Sequence, residues 1–357
     1  MPALPEASLM ELLRATSRSF YLTLRVLPRA VRPQIGLAYL LARTADTIAD
    51  TELVPPEQRL DALRRFRERI AGATRARLNL GELAARQSAP AERTLLERAD
   101  DSLAGLDALA PEDLRLVREV LDTITSGQEL DLRRFAGASA ARIVALQTEA
   151  DLEDYTWRVA GCVGEFWTRL CRAHLFPDAP LDETQLLADA IRFGKGLQLV
   201  NILRDVAADL RKGRCYLPEQ ELARLGFKPA DLLEPANEPR LRPLYNRYLD
   251  IAARGLAAGW AYTNALPWRC ARVRLACAWP ILIGAKTLDR LRAARVLEPE
   301  RPVKISRAEV RQLITRSLLR YPFPGMWRRL GPTASRLPAA PAPQPHGKAV
   351  APTRRLP

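Results

Sequence analysis

Asp205 and Asp209 stand four residues apart in an otherwise apolar stretch, Gln198-Leu199-Val200-Asn201-Ile202-Leu203-Arg204-Asp205-Val206-Ala207-Ala208-Asp209. Gln198, Asn201, Asp205 and Asp209 fall at offsets 0, +3, +7 and +11. A helix of about 3.6 residues per turn gathers those offsets into one polar stripe. The two carboxylates then sit about 6 Å apart, close enough to share hard cations. Two like charges at that spacing cost helix stability unless they hold something.

A second stretch repeats the arrangement. Tyr39, Arg43, Asp46 and Asp50 lie at offsets 0, +4, +7 and +11, with Leu37, Leu40, Leu41 and Ile48 making the rest of the helix apolar. A helix buried nearly all round excludes carboxylates unless they are paired or bind metal. Two such helices form facing walls of one cavity holding Mg²⁺, which keeps several waters and takes one or two carboxylates plus substrate phosphates. The competing reading, acidic pairs on solvated helix faces, suits one such motif better than two.

The elements that position these groups are helical. Leu, Ala and Arg dominate, Gly numbers only 18, and alternating β-branched residues are scarce, so the chain reads as one all-α domain over residues 1–331 with a central cavity. Beyond Gly331 the sequence is Pro- and Ala-rich and reads as a disordered tail over 332–357. Five Cys without metal-type spacing read as buried thiols of a cytoplasmic protein. The presence of only His174 and His346 argues against a histidine-based metal site or Ser-His-Asp chemistry. The net charge of +14 is spread along the chain with few interleaved aromatics, which argues against nucleic acid. It suits a polyanionic small substrate and peripheral contact with the anionic inner face of the cell membrane. The start, Met1-Pro2-Ala3-Leu4-Pro5-Glu6, has no charged region and apolar run of a signal peptide.

In chain order, Ser17-Arg18-Ser19-Phe20 precedes an apolar run ending at Pro28, and its hydroxyls serve either as an N-cap or as phosphate ligands. Helices are expected at 57–70, 92–106 and 112–126, with Glu129 and Asp131 on a solvated helix end. Tyr155 leads the stripe 155, 159, 162, 166 in a helix with small residues at 160, 161 and 164; it is either a core aromatic or faces the cavity. Gly194-Lys195-Gly196 lacks the third Gly and the preceding strand of a dinucleotide fingerprint. Gly213 stops the helix of the second acidic pair, and Arg214 lies beyond the stop, within reach of whatever the carboxylates hold. Helices follow at 238–264 and 270–292, the second bent at Pro280, and Val303-Lys304-Ile305-Ser306-Arg307 opens a last one to about 320.

These motifs together resemble the squalene/phytoene synthase family, head-to-head trans-isoprenyl diphosphate synthases, over roughly residues 10–320. The most specific are Ser17-Arg18-Ser19-Phe20, Asp46-x-x-x-Asp50, Tyr155 with Val159-Ala160-Gly161, and Asn201 through Asp209 followed by Gly213-Arg214. The resemblance implies a helical bundle of the isoprenoid synthase type in which Asp46, Asp50, Asp205 and Asp209 bind Mg²⁺ and Tyr155 is catalytic. By the same carry-over Ser17, Arg18, Ser19, Phe20, Tyr39, Arg43, Gln198, Asn201, Arg204 and Arg214 bind prenyl diphosphate.

Three features further resemble squalene synthases: Ser-Arg-Ser-Phe, Asp46-Thr47-Ile48-Ala49-Asp50, and Val303-Lys304-Ile305. They imply condensation of two farnesyl diphosphates to presqualene diphosphate and then squalene, a sterol, hopanoid or carotenoid precursor, with NADPH bound near Asn201, Arg214 and Lys304. The stretch from Asp205 to Pro218 also resembles phytoene synthases. That implies the alternatives: a phytoene or dehydrosqualene synthase, or a hydroxysqualene-forming enzyme, none using NADPH. A basic helical binding protein without catalysis leaves four carboxylates on apolar helices unexplained. Since Pro/Ala-rich sequence buries no core, deleting residues 333–357 should leave the melting temperature and solution activity unchanged; thermal denaturation of the truncated chain checks this.

Overall fold

Apolar residues recur at helical spacing nearly throughout, and the computed structural model, which describes residues 6–17, 20–298 and 302–332, turns that pattern into an all-α fold. The first half comprises α1 (Glu6–Thr16), α2 (Phe20–Val26), α3 (Arg32–Asp50), α4 (Pro56–Ala71), α5 (Gly81–Ala85), α6 (Pro90–Glu97), α7 (Ala99–Ala104) and α8 (Pro111–Arg134). Next come α9 (Glu149–Thr156), a π-helical turn (Trp157–Gly161), α10 (Cys162–Leu175) and α11 (Glu183–Arg211). The remainder is α12 (Glu219–Arg224), α13 (Glu238–Ala265), α14 (Ala271–Ala293), α15 (Arg307–Arg320) and α16 (Pro324–Arg328). Among the described residues the only strands are β1 (Val144–Ala145) and β2 (Arg214–Cys215), a parallel pair.

The ends follow local chemistry. Proline opens α3, α4, α6 and α8, where its missing N–H would have no partner anyway. Thr148 with Asp151 and Ser306 with Glu309 form capping boxes on α9 and α15. Two expectations change. The helix expected over 112–126 continues to Arg134, and that over 92–106 breaks into α6, α7 and a 3-10 turn at Gly105–Ala108. α14 runs through Pro280 without ending there. The tail at 333–357 lies outside the described residues.

α11 runs through the centre, against α10, the π-turn, α13 and α14. Glycines bring these backbones together. A Cβ on Gly196 would lie 2.8 Å from the Gly255 Cα of α13, and Cβ atoms on Gly164 and Gly194 would overlap the carbonyls of Ala190 and Ala160. One apolar core joins α1, α3, α4, α6, α8 and α10, and a second joins α11, α13, α14 and α16. Each fully buried Leu in them contributes about 1.5–3 kcal/mol.

A buried arginine ties the C-terminal helices on. Arg274 of α14 donates to the Leu266 carbonyl at 2.6 Å and to the Asn264 carbonyl and Oδ1, both at 3.1 Å. Its guanidinium lies 4.7 Å from the ring of Trp268, 5.9 Å from Tyr321 and 5.6 Å from Trp327. Cation–π contact supplements the hydrogen bonds that offset the charge's burial.

The glycine contacts give a stability test. Gly194→Val forces a branched side chain against the Ala160 backbone and should lower stability by about 1–3 kcal/mol or more. Gly325→Ala, whose Cβ meets nothing within 4 Å, should be neutral. Thermal melts of both variants check the contrast.

Candidate active site

Three helices each carry a stripe that turns from apolar to polar towards the C-terminus. On α3 it runs Ile35, Ala38, Tyr39, Ala42, Asp46; on α8 Val120, Ile124, Gln128, Asp131; on α11 Ala190, Gly194, Leu197, Asn201, Asp205, Asp209. The apolar members line a cavity of ≈ 390 Å³ and the polar ones an adjoining cavity of ≈ 320 Å³ that also takes in Asp50. Asp46, Val159, Gln198 and Asn201 face both, so the two spaces meet there. Val159 reaches that junction from the π-turn, a local widening of the helix of the kind often found at functional sites.

The polar cavity is closed by the chain after α11. Gly213 takes φ +81°, a left-handed conformation that favours glycine, and its Cβ would overlap Ser139. The turn lets β2 pair with β1, with Val144 N–H donating to the Gly213 carbonyl at 2.8 Å. Arg214 is thereby held with Nη1 3.7 Å from Asp50 Oδ1, and Lys212 Nζ lies 3.1 Å from Glu52. Tyr216 enters the cavity, stacks on Tyr155 with ring centroids 4.8 Å apart, and donates to Asp131 Oδ2 at 2.8 Å.

The carboxylates are crowded. Burial and then the neighbouring Asp50 push Asp46 up to about 7, against the pull of Arg43 and the Gln128 amide. Burial and Asp205 push Asp209 up to about 7, although Arg214 and Lys212 oppose it. Asp131 rises to about 6 through burial, eased by the Tyr216 hydroxyl and Arg214; its Oδ1 is buried without a partner. Burial first, then Asp131, raises Tyr155, which keeps its proton. Among the described residues no three His, Cys, Asp or Glu side chains converge on one point to hold a metal alone. Two carboxylate pairs on separate walls, short of positive charge, fit divalent cations whose shells are completed by water and phosphate oxygens.

That geometry has known counterparts. Residues 13–309 match the family described as squalene/phytoene synthase. The chain belongs to this family. It is 29% identical over 230 residues to the squalene synthase of Saccharomyces cerevisiae, covering 64% of this chain and 49% of that protein. It is 29% identical over 297 residues to the presqualene diphosphate synthase of Rhodopseudomonas palustris, covering 82% of this chain and 90% of that one. The chain thus spans about half the length of the yeast relative and nearly all of the bacterial one. A solved dehydrosqualene synthase superposes with a TM-score of 0.62 at 22% identity, over 88% of this chain and 96% of the other, which shows a shared all-α fold.

Most of the residues that carried the resemblance to the squalene/phytoene synthase family meet at this site. Asp46, Asp50, Asp205, Asp209, Tyr155, Gln198, Asn201 and Arg214 line the polar cavity, and Tyr39 and Arg43 the apolar one. Arg43 is also paired with Glu92 of α6, as well as lying 3.8 Å from Asp46. Three residues fall elsewhere. Ser17 lies buried at the end of α1 with its hydroxyl donating back to the Leu13 carbonyl; it lines neither of the two cavities but hydrogen-bonds Tyr39, which lines the apolar one. Arg204 is exposed and grips its neighbour Asp205 through two bonds of 2.9 and 2.5 Å, supplying the counter-charge that helical spacing alone does not reveal. Lys304 is exposed on the segment before α15, its carbonyl bound by Arg290, and lines neither cavity. Arg18, Ser19 and the side chain of Phe20 lie outside the described residues.

Sequence reasoning missed Gln128, Asp131, Lys212 and Tyr216. The signal for the first two was present: Val120, Ile124, Gln128 and Asp131 repeat the stripe of the other two helices, and α8 had only to continue past Gly127. Asp131 also yields a pH test. A carboxyl raised to about 6 in the fold, against 3.8 ordinarily, favours the folded state at low pH, and this contribution is lost as pH rises through that interval. Asp131→Asn, uncharged throughout, should therefore melt above the unaltered protein beyond about pH 7, the gap closing below about pH 4. Metal-free melting curves across that range check it.

Proposed function

We propose that this chain joins two farnesyl diphosphates head to head, with Mg²⁺, to presqualene diphosphate and carries that product on to squalene with NADPH. The observation that carries the first half is the apolar cavity opening at Asp46, Val159, Gln198 and Asn201 onto a chamber walled by two aspartate pairs. A prenyl chain fits the first space and a diphosphate the second, leaving the reacting carbon at the junction. The similarity to a presqualene diphosphate synthase, 90% of which this chain covers, supports the same first product. Peripheral contact of a cytoplasmic enzyme with an anionic membrane belongs to this reading and is supported by the charge of +14.

Asp46, Asp50, Asp205 and Asp209 would hold the metal. Bound there, Mg²⁺ supplies Lewis-acid neutralisation of the departing diphosphate. Arg214 and Lys212 at the rim, with Arg43 beside Asp46, add hydrogen bonds to phosphate oxygens, and the fork of a guanidinium suits two at once. Ile35, Val120, Ile124 and Leu197 keep water from the allylic cation left at the junction.

Closing the cyclopropane ring releases one proton. Tyr155 is within hydrogen-bonding reach of Tyr216, and Tyr216 donates to Asp131. Tyr155 accepts the proton on its oxygen as its own passes to Tyr216 and that of Tyr216 to Asp131. No phenoxide is needed, consistent with a tyrosine that burial keeps protonated.

For the last step, the motifs shared with squalene synthases favour hydride quenching. Asn201 and Arg214 face the polar cavity but belong to the diphosphate chamber, and Lys304 stands apart. These three residues do not converge on a separate dinucleotide pocket. The second reading, a phytoene-type or hydroxysqualene product formed without NADPH, is decided by product analysis. Squalene should appear only with NADPH, and its omission should stall the reaction at presqualene diphosphate or divert it. One product, identical with and without NADPH, would refute the squalene assignment.

Charge removal tests the metal site. Asp46→Asn or Asp205→Asn should cut turnover at least about 100-fold at saturating Mg²⁺ with little loss of fold, and near-normal turnover in either would refute the two-wall site.

A further inference from the structure

Three stretches of the chain contain no Asp or Glu at all: 12–45, 251–288 and 310–332. The structure joins them at one end of the bundle. Arg272, in the first turn of α14, donates from Nε to the Val26 carbonyl of α2 at 2.8 Å. Tyr321, just after α15, donates to the Trp268 carbonyl at 2.6 Å and stacks on that indole at 4.5 Å. Trp260 of α13 donates to the Arg328 carbonyl at 3.1 Å. Arg25, Arg29, Arg269, Arg272, Arg316, Arg328 and Arg329 are exposed around these joints.

Amid this positive charge lie large apolar side chains open to solvent. Leu318, Leu319, Phe323 and Met326 are 48%, 67%, 56% and 47% exposed, and Trp268 40%. The buried Arg274, boxed by Trp268, Tyr321 and Trp327, fixes their support to the bundle. Leu318, Leu319, Phe323 and Met326 lie beyond the family match, which ends at residue 309.

We propose that this surface, built on α15, α16 and the turn before α14, docks the protein on an anionic lipid bilayer. Apolar and aromatic side chains enter the boundary between headgroups and acyl chains, and arginines around them bind lipid phosphates. A second copy fits less well. A two-fold interface sets the same patch against itself, and here that opposes arginine to arginine without one carboxylate from these stretches. The apolar cavity points the same way: Cys277, in its wall, lies about 9 Å along α14 from Ala271. Docked so, the chain sets the apolar end of its cavity towards lipid and its aspartates towards water.

The inference deepens the membrane contact in the proposed function, but its test needs no turnover, so the two fail separately. The full chain is sedimented with phosphatidylcholine vesicles with and without phosphatidylglycerol, and its partition measured as salt rises. It should bind the anionic vesicles and be released by salt. Leu319→Ser/Phe323→Ser and Arg328→Ala/Arg329→Ala should each weaken partition at least about tenfold. Both should keep their melting temperature, and their turnover in detergent solution to within about twofold, since these side chains are exposed and line neither cavity. Four results would overturn the proposal: no vesicle binding by the full chain, unchanged binding by both variants, loss of all binding on deleting 333–357 alone, or a dimer dissolved by Leu319→Ser/Phe323→Ser while vesicle binding persists.

Discussion

Uncompensated negative charge at one point governs the rest of this structure. α3, α8 and α11 finish at Asp50, Arg134 and Arg211, and their stripes all deliver carboxylates to the same chamber. Each helix C-terminus adds partial negative charge of its own, worth about 0.3–1 kcal/mol against a nearby anion. Two unit charges 4 Å apart repel by about 4 kcal/mol at an effective dielectric near 20. Arg204, Lys212 and Arg214 offset part of this, yet Asp46 and Asp209 still rise to about 7 and Asp131 to about 6. The apolar cores on either side hold the walls in place against that repulsion. A polyanion bound with divalent cations relieves it, so the fold is less comfortable without its ligands than with them.

The same three stripes explain how a charged leaving group and a reactive hydrocarbon share one site. Within about two helical turns each stripe passes from aliphatic to ionic. The transition is set by register: Ala42 to Asp46 on α3, Ile124 to Gln128 on α8, Leu197 to Asn201 on α11. The amides at the boundary matter because they are polar without being nucleophilic carboxylates. Gln128 already binds Asp46, and Asn201 and Gln198 face the junction itself. Glycine contacts at Gly164, Gly194 and Gly196 let α10, the π-turn and α13 close tightly on α11, so that the open space is concentrated beside the stripe.

How much of this was legible in the sequence depends on whether the signal was periodic. The aspartate pairs and the helices over 238–264 and 270–292 follow from spacing, because a helix imposes its period on whatever it buries. Asp131 was equally periodic but was set aside by ending its helix at Gly127, a residue α8 tolerates since a Cβ there would press on Arg158 and Val159. Non-local partners left no such trace. Arg43 with Glu92, Tyr216 with Asp131, and Lys212 with Glu52 join segments far apart in the chain, and no periodicity encodes them. Ser17 is tied non-locally as well, its hydroxyl donating back to the Leu13 carbonyl and hydrogen-bonded to Tyr39 of the cavity wall.

Charge is therefore sorted by position as well as by amount. The basic excess does not neutralise the aspartate chamber: Arg25, Arg29, Arg269, Arg272, Arg316, Arg328 and Arg329 are gathered in stretches without any acid, at the end where the cavity is apolar. A chain selected only for solubility would have no reason to separate its charges this way, since mixed surfaces serve as well. Separation gives the molecule two ends with different affinities. One gathers the aspartates around the polar cavity. The other carries exposed arginines around large apolar side chains. A prenyl diphosphate carries a charged head and an apolar chain, and the three stripes lead from one kind of environment to the other.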